Sequence, residues 1–376
     1  MSEQQQITVL QMCSYLHSNV FHARFFDAMA KNIVDQIVAS PHSVPTKNRP
    51  ASTTITTHYG AQERWSLSRK LFYSWKIRDY ATHLTKLKNI DSVDVVHAHS
   101  LYADGLLAHN ICTSRKLPLI VTIRDGDIAL FPKYYPHWKN KARAVVEAAD
   151  KIIFVNPNFK EYFEKSHQIS LSNVQCEVIP NGVDEIWHET SLPTAANSNV
   201  TRLICVAKLI PRKNQLGLIK AIKLAHKISE KHFTLTLVGK PIASYGRSVL
   251  KECKKHNWIT YLGELNPPEI IDQFHHHDLF ALVSHTENFG IVYAEALACG
   301  LPLLYSRDQG FDGWSHSVQY GSAVSSRNTH SIANGLINFD FELPSAVKRK
   351  QLSKDLFSWS KVATQHESIY KSVVDN

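Results

Sequence analysis

"DLFALVSHTENFGIVYAEALACG", residues 278–300, contains the pattern from which the rest of the chain can be read. Residues 278–284 form a continuous apolar run, the signature of a parallel strand covered on both faces. "HTENFG" then turns the chain into a helical pattern over 290–299. Gly290 permits a close backbone approach there. The amides of Phe289, Gly290 and Ile291 open the helix without intrahelical partners, which favours an anion and above all a phosphate. Glu287 and Glu295 stand on either side of that turn with seven residues between them. Phosphate repels a carboxylate, so the two glutamates are expected to accept hydrogen bonds from neutral hydroxyls. A sugar on one side of a diphosphate and a ribose on the other would supply them.

The strand–turn–helix unit recurs. Apolar runs at 7–12, 94–99, 117–123, 151–156 and 177–180 make a first set, and 201–207, 233–239, 258–263, 278–284 and 301–306 a second. After Pro211, Leu218, Ile222, Ala225 and Ile228 recur at helical spacing, as a crossover helix requires. Such alternation predicts α/β architecture: two Rossmann-like, doubly wound domains facing a cleft at the carboxyl ends of both sheets, where open α/β sheets bind ligands. The small polar stretch "ETSLPTAANSN" reads as a linker at 189–199. The expected division is 1–188 for the first domain, 200–356 for the second, and a C-terminal helix over 357–376.

Composition narrows the possibilities. At 376 residues the chain is long enough for two cores. No apolar run approaches the ~18–20 residues of a membrane span. The N-terminal sequence shows no secretory pattern, so the cytoplasm is the expected compartment. Six scattered cysteines without a C-x-x-C pair argue against a disulfide framework or zinc site. The formal charge of +9 favours an anionic partner: nucleic acid, an anionic membrane or a phosphorylated small molecule.

"VAKLIPRKNQ", 206–215, brings Lys208, Arg212 and Lys213 to the end of the first strand of the second domain. Cations there would stabilise a nucleotide-diphosphate leaving group as its bond to a sugar breaks. This cluster, "IPNGVD" at 179–184, the Glu–seven residues–Glu spacing around "NFG" and "ACGLPLLYSRDQG" together resemble the retaining glycosyltransferases of family 4, with the GT-B fold. The resemblance covers nearly the whole chain. It implies contact of Glu287 with the donor sugar and of Glu295 with the ribose, a cationic pair in Lys208 and Lys213 with Arg212 beside them, and a donor cradle at Asn288, Phe289, Gly290 and Ile291. In the first domain it implies that His99, in "DVVHAHSLYADGLLA", lies near the reacting sugar. Asp127, in "VTIRDGDIALF", is implied on the acceptor side, and the last helix is expected to cross back onto the first domain.

This sequence departs from the family at Lys208, where arginine is usual, at Ala207 and Asp125, where glycine is common, and in a first strand–helix turn with no glycine. "DGD" at 125–127 imitates a metal-binding pair, but the lysines already supply the charge, so no metal and no cofactor is expected. "FHHHDL", 274–279, reads as surface histidines. Residues 64–88 hold seven Lys/Arg and one acid among aromatic residues, a pattern that suits an anionic membrane interface or a helix with a solvated basic face. The expected activity is metal-independent, retaining transfer of a sugar from a nucleotide-diphosphate donor to a hydroxyl of a glycan or lipid-linked acceptor. The expected setting is bacterial surface polysaccharide such as lipopolysaccharide or capsule, on the inner face of the membrane, without nucleic acid. A sugar-nucleotide epimerase or a basic, non-enzymatic binding protein would explain part of the same pattern.

Overall fold

The computed structural model describes residues 6–18, 20–32, 34–42, 44–52, 55–59, 84, 90–124, 126–130, 134, 136–193, 200–314, 320–339 and 344–375. The basic aromatic stretch 64–88 lies outside the described residues apart from Leu84, which is buried. Asp125 of "DGD" lies outside them too.

The chain divides into two units, Met1–Pro180 with Trp359–Asn376, and Asn181–Ser358. Among the described residues of the first unit, seven parallel strands form one sheet: β1 (Ile7–Met12), β2 (Val34–Ser40), β3 (Ile55–Tyr59), β4 (Val95–Ala98), β5 (Leu119–Ile123), β6 (Lys151–Phe154) and β7 (Gln175–Val178). Their order is β3-β2-β1-β4-β5-β6-β7. The direction of winding reverses between β1 and β4, so the loops leaving their carboxyl ends part there and open a crevice. His99 follows β4 directly.

The second unit repeats the design with β8 (Val200–Val206), β9 (His232–Val238), β10 (Ile259–Gly263), β11 (Leu279–Leu282), β12 (Leu303–Ser306) and β13 (Gly321–Val324). The order is β10-β9-β8-β11-β12-β13, with its reversal between β8 and β11. Lys208 lies just beyond β8, and the turn carrying Glu287 follows β11.

Three strands escape the apolar-run criterion. β2 carries Asp35 and Gln36 within it, β3 is mostly polar, and β13 is "GSAV". Gln36 is buried nonetheless, because its side chain bonds Gln11 and the Phe26 carbonyl. The unit boundary also falls earlier than the 189–199 stretch suggests. Val183 donates its amide to the Phe357 carbonyl at 2.7 Å, and Trp187 is buried against Phe274, so these residues belong to the second core. In the helix Gln215–Ile228, Leu218, Ile222 and Ala225 are buried as expected, but Ile228 is 51% exposed at the last turn. The histidines of "FHHHDL" are not all on the surface. His277 is buried and bonds Thr236 Oγ1 at 2.7 Å, and only His276 is exposed.

The helix Trp359–Val374 buries Val362, Ala363, Ile369, Tyr370 and Val373, a 3.6-residue stripe, in the core beneath β1 and the helix Phe21–Met29. Each large side chain fully buried there is worth on the order of 1.5–3 kcal/mol. Their sum rivals a domain's whole stability of about 5–15 kcal/mol. Truncation after Ser358 is therefore expected to abolish cooperative unfolding of the first unit, read as a lost transition in a circular-dichroism melt.

Candidate active site

In the second unit the loop after β8 is shaped by Asn214. Residues Pro211–Lys213 make one tight turn, and Asn214 ends it in the left-handed region at φ 55°. Its side-chain amide donates to the Val283 carbonyl at 3.1 Å and the Ser326 carbonyl at 2.8 Å. The Arg212 carbonyl accepts from the His285 amide at 2.8 Å, and Arg212 Nη1 donates to the Thr286 carbonyl at 3.2 Å. These bonds fasten the basic loop to the "HTENFG" turn and bring Lys213 and Glu287 together.

Glu287 is 7% exposed and Lys213 is 13% exposed, and the two form an ion pair through Oε2 and Nζ. Ser284 Oγ donates to the same Oε2 at 3.1 Å, and Arg212 Nη1 lies 3.9 Å from Oε1. The Glu287 backbone is fixed as well. Its carbonyl accepts from the Gly310 amide at 3.0 Å and its amide donates to Gln309 Oε1 at 3.3 Å. Two glycines make room for the side chain. A Cβ on Gly310 would stand 2.8 Å from Glu287 Cγ, and one on Gly290 would stand 2.4 Å from the Tyr293 ring and 3.0 Å from Glu287 Cγ. Both also have positive φ, where a side chain is strained.

Gly290 caps the helix Ile291–Ala298. The amides of Phe289, Gly290 and Ile291 donate to none of the described residues, so the first turn keeps its donors free. The Phe289 ring is buried against Phe311, Trp314 and Phe357, which leaves its backbone as the part able to meet a ligand. Asn288 is half-buried beside it. Glu295 is half-buried too, roughly 6 Å along the helix axis from Ile291. Lys208 is exposed and forms no ion pair with the described residues, while its carbonyl is held by Gln215 Nε2 at 3.0 Å. The structure thus joins Lys213, Arg212, Glu287 and the 289–291 amides in one place. The sequence reading missed Ser284, Asn214 and Gln309. Asn-Gln at 214–215, directly after the basic pair, is the one local signal for a loop that must stop and cap.

In the first unit, His99 is 1% exposed, with Nε2 on Gln11 Oε1 at 2.8 Å and its carbonyl on Arg124 Nε at 3.0 Å. Burial, then the neighbouring His97, holds its pKa well below the usual imidazole range, so the ring is neutral. Asp127 is fully buried. Its Oδ1 accepts from the Tyr102 amide at 3.2 Å and its Oδ2 from the Arg124 amide at 3.0 Å. Burial raises its pKa to about 6. A carboxylate spent on two backbone amides fixes the turn after β5; the structure gives Asp127 this positioning role and leaves it no exposed oxygen for an acceptor. Asp104, unremarked in the sequence, is pushed by burial to about 7, while Ser14 and Ser100 donate to it.

The two lysines differ in what they hold, which makes them separable. Lys213→Ala strands a buried carboxylate and is expected to cost about 3–5 kcal/mol. Lys208→Ala is expected to stay within about 0.5 kcal/mol of the parent. Urea unfolding of the two variants checks the contrast.

Two family models match, Glycosyltransferase Family 4 over residues 17–186 and Glycosyl transferases group 1 over 190–340. Glycogen synthase of Mycobacterium tuberculosis is 26% identical over 300 residues, covering 74% of this chain and 68% of that one. Among solved structures, Anabaena HepE in complex with UDP superposes with a TM-score of 0.72 at 16% identity, covering 98% of this chain and 100% of that one. The apo form of WaaB, a lipopolysaccharide outer core galactosyltransferase, gives 0.71 at 13% identity, covering 97% and 100%. With both units matched in order and the same GT-B fold in these structures, the chain belongs to the family 4, group 1 glycosyltransferases.

Proposed function

We propose that this glycosyltransferase moves a sugar from a nucleotide-diphosphate donor to a hydroxyl of a glycan or lipid-linked acceptor, with retention and without a metal. The carrying observation is the buried Glu287 carboxylate, clamped by Lys213, Ser284, Gly290 and Gly310 beside three amides with no partner among the described residues. A diphosphate on those amides puts its sugar against Glu287 and its ribose toward Glu295. The structure of HepE in complex with UDP supports a nucleotide donor, and the kinship in fold with WaaB, a lipopolysaccharide outer core galactosyltransferase, supports a role in surface polysaccharide.

In the proposed reaction the bond from the anomeric carbon to the β-phosphate oxygen breaks while the acceptor oxygen bonds to the same face of that carbon. The acceptor proton passes to the departing phosphate oxygen. The 289–291 amides, Lys208 and Arg212 bear the negative charge that develops, and such preorganised donors are worth most in the transition state. Lys213 contributes while holding Glu287 in position. His99, in the first unit, is suited to accept a hydrogen bond from a sugar hydroxyl.

Calorimetric titration with UDP, GDP and ADP, each with and without EDTA, tests the donor side. The expected outcome is metal-independent binding of one nucleotide. Binding only with a divalent cation would remove the metal-free reading. Glu287→Gln keeps the shape and loses the charge; it is expected to retain nucleotide binding while transfer falls by about 10²–10³-fold, the loss seen when one transition-state partner is removed. Conversion of the donor sugar without any acceptor would instead identify an epimerase.

A further inference from the structure

His99 closes β4 at the winding reversal of the first sheet, and the question its burial raises is which ring nitrogen carries the proton. A chain of side-chain amides answers it. The Phe26 carbonyl can only accept, so the group facing it at 2.9 Å is the NH₂ of Gln36. Gln36 therefore turns its Oε1 toward Gln11, and Gln11 must answer with its own NH₂, at 3.2 Å. That NH₂ also donates to Tyr370 Oη at 3.1 Å. Gln11 is left presenting Oε1 to His99 Nε2 at 2.8 Å. Reversing either amide would set oxygen against oxygen inside a core where Gln11 is 0% and Gln36 2% exposed.

We infer that Gln11 and Gln36 are positioning residues that lock His99 as the Nε2–H tautomer, leaving Nδ1 as an unprotonated acceptor. The ring cannot swivel out of this arrangement. Phe25 and Phe26 meet it edge-on at 5.2 and 5.3 Å between centroids, His22 at 5.7 Å, and Arg124 Nε holds the His99 carbonyl at 3.0 Å. No described residue bonds Nδ1. The group that meets it must bring a proton, so a sugar hydroxyl fits and a carboxylate or phosphate oxygen is refused. Tyr370 links the same network to the C-terminal helix, because its hydroxyl also lies 2.8 Å from His97 Nδ1. The order runs from one main-chain carbonyl to one lone pair.

The consequence for substrate rests on the transferase reading; the tautomer does not. The full-length protein, labelled with nitrogen-15 in its histidine rings, is measured by long-range nitrogen–proton correlation near pH 7.5. The His99 signals are identified by their loss in His99→Asn. The expected result is a single tautomer with the proton on Nε2. Gln36→Met frees Gln11 to reverse and is expected to add the Nδ1–H form. Gln11→Met removes the acceptor itself and is expected to do the same. In transfer assays both variants are expected to lose about 10- to 100-fold in kcat, the scale of loss known for the partners that orient metal-ligating histidines, with the donor KM changed less than about twofold. A wild-type His99 protonated on Nδ1 overturns the proposal, and so does an unchanged Nε2–H tautomer in both variants. If a variant does not fold, the wild-type spectrum still decides. Altered tautomers without any transfer activity in the wild type would sink the functional reading and leave the relay standing.

Discussion

A carboxylate as buried as Glu287 has to be paired, and much of the second unit's site follows from that need. Removing its charge from water without compensation would cost several kcal/mol. The compensation comes from Lys213 and Ser284, with Arg212 nearby. Lys213 reaches the carboxylate because Asn214 ends the preceding turn in a left-handed conformation and ties it to the segment after β11. Glu287 reaches its position because Gly290 and Gly310 leave its side chain room that a Cβ would take. The same turn that places the carboxylate exposes the donors of Phe289, Gly290 and Ile291. Ion pair and anion cradle are thus products of one loop geometry.

The first unit orients its buried histidine with neutral side chains instead of an ion pair. At its winding reversal stand His97, His99 and the network of Gln11, Gln36 and Tyr370, all buried. Burial pushes each titratable group toward its neutral form, His99 downward, and Asp104 and Asp127 upward to about 7 and about 6. The amide–histidine network there is ordered by hydrogen-bond direction. Direction is what a neutral hydroxyl substrate requires, whereas a diphosphate requires charge. The two sheets share a plan, yet an ion pair stands at one winding reversal and an amide–histidine network at the other.

The second unit was the more legible in sequence for a physical reason. Its functional residues sit on breaks in pattern, a glycine after a continuous apolar strand and a basic cluster beside a proline, and those breaks are visible in one dimension. What could not be seen was that Lys213 would pair with Glu287. The two are far apart in the chain, and only the adjacency of β8 and β11 brings them together. Strands β2, β3 and β13 were missed because polar or small residues interrupt their apolar pattern; in β2 the buried Gln36 is satisfied by partners that the fold supplies. Asp127 was legible as a buried-turn acid only after its two amide partners were known. The boundary between units was blurred because residues 181–188 look like an exit loop yet carry Trp187 into the second core.

The charge balance at the second site has a further consequence. Lys213 and Glu287 cancel, so the pair adds little net charge to the loop. Arg212 lies at 3.9 Å from the carboxylate, too far for a close contact, and Lys208 has no ionic partner among the described residues. Arg212 therefore stands in excess over the paired carboxylate, beside three free amides, and Lys208 adds an exposed cation on the same loop after β8. A diphosphate fits that surplus, and a neutral sugar alone would leave it unused. Phosphate binding also need not break the ion pair, because the lysine ammonium has three donors and Glu287 occupies only part of them. In the proposed reaction Lys213 can then stabilise the departing phosphate while keeping Glu287 in place.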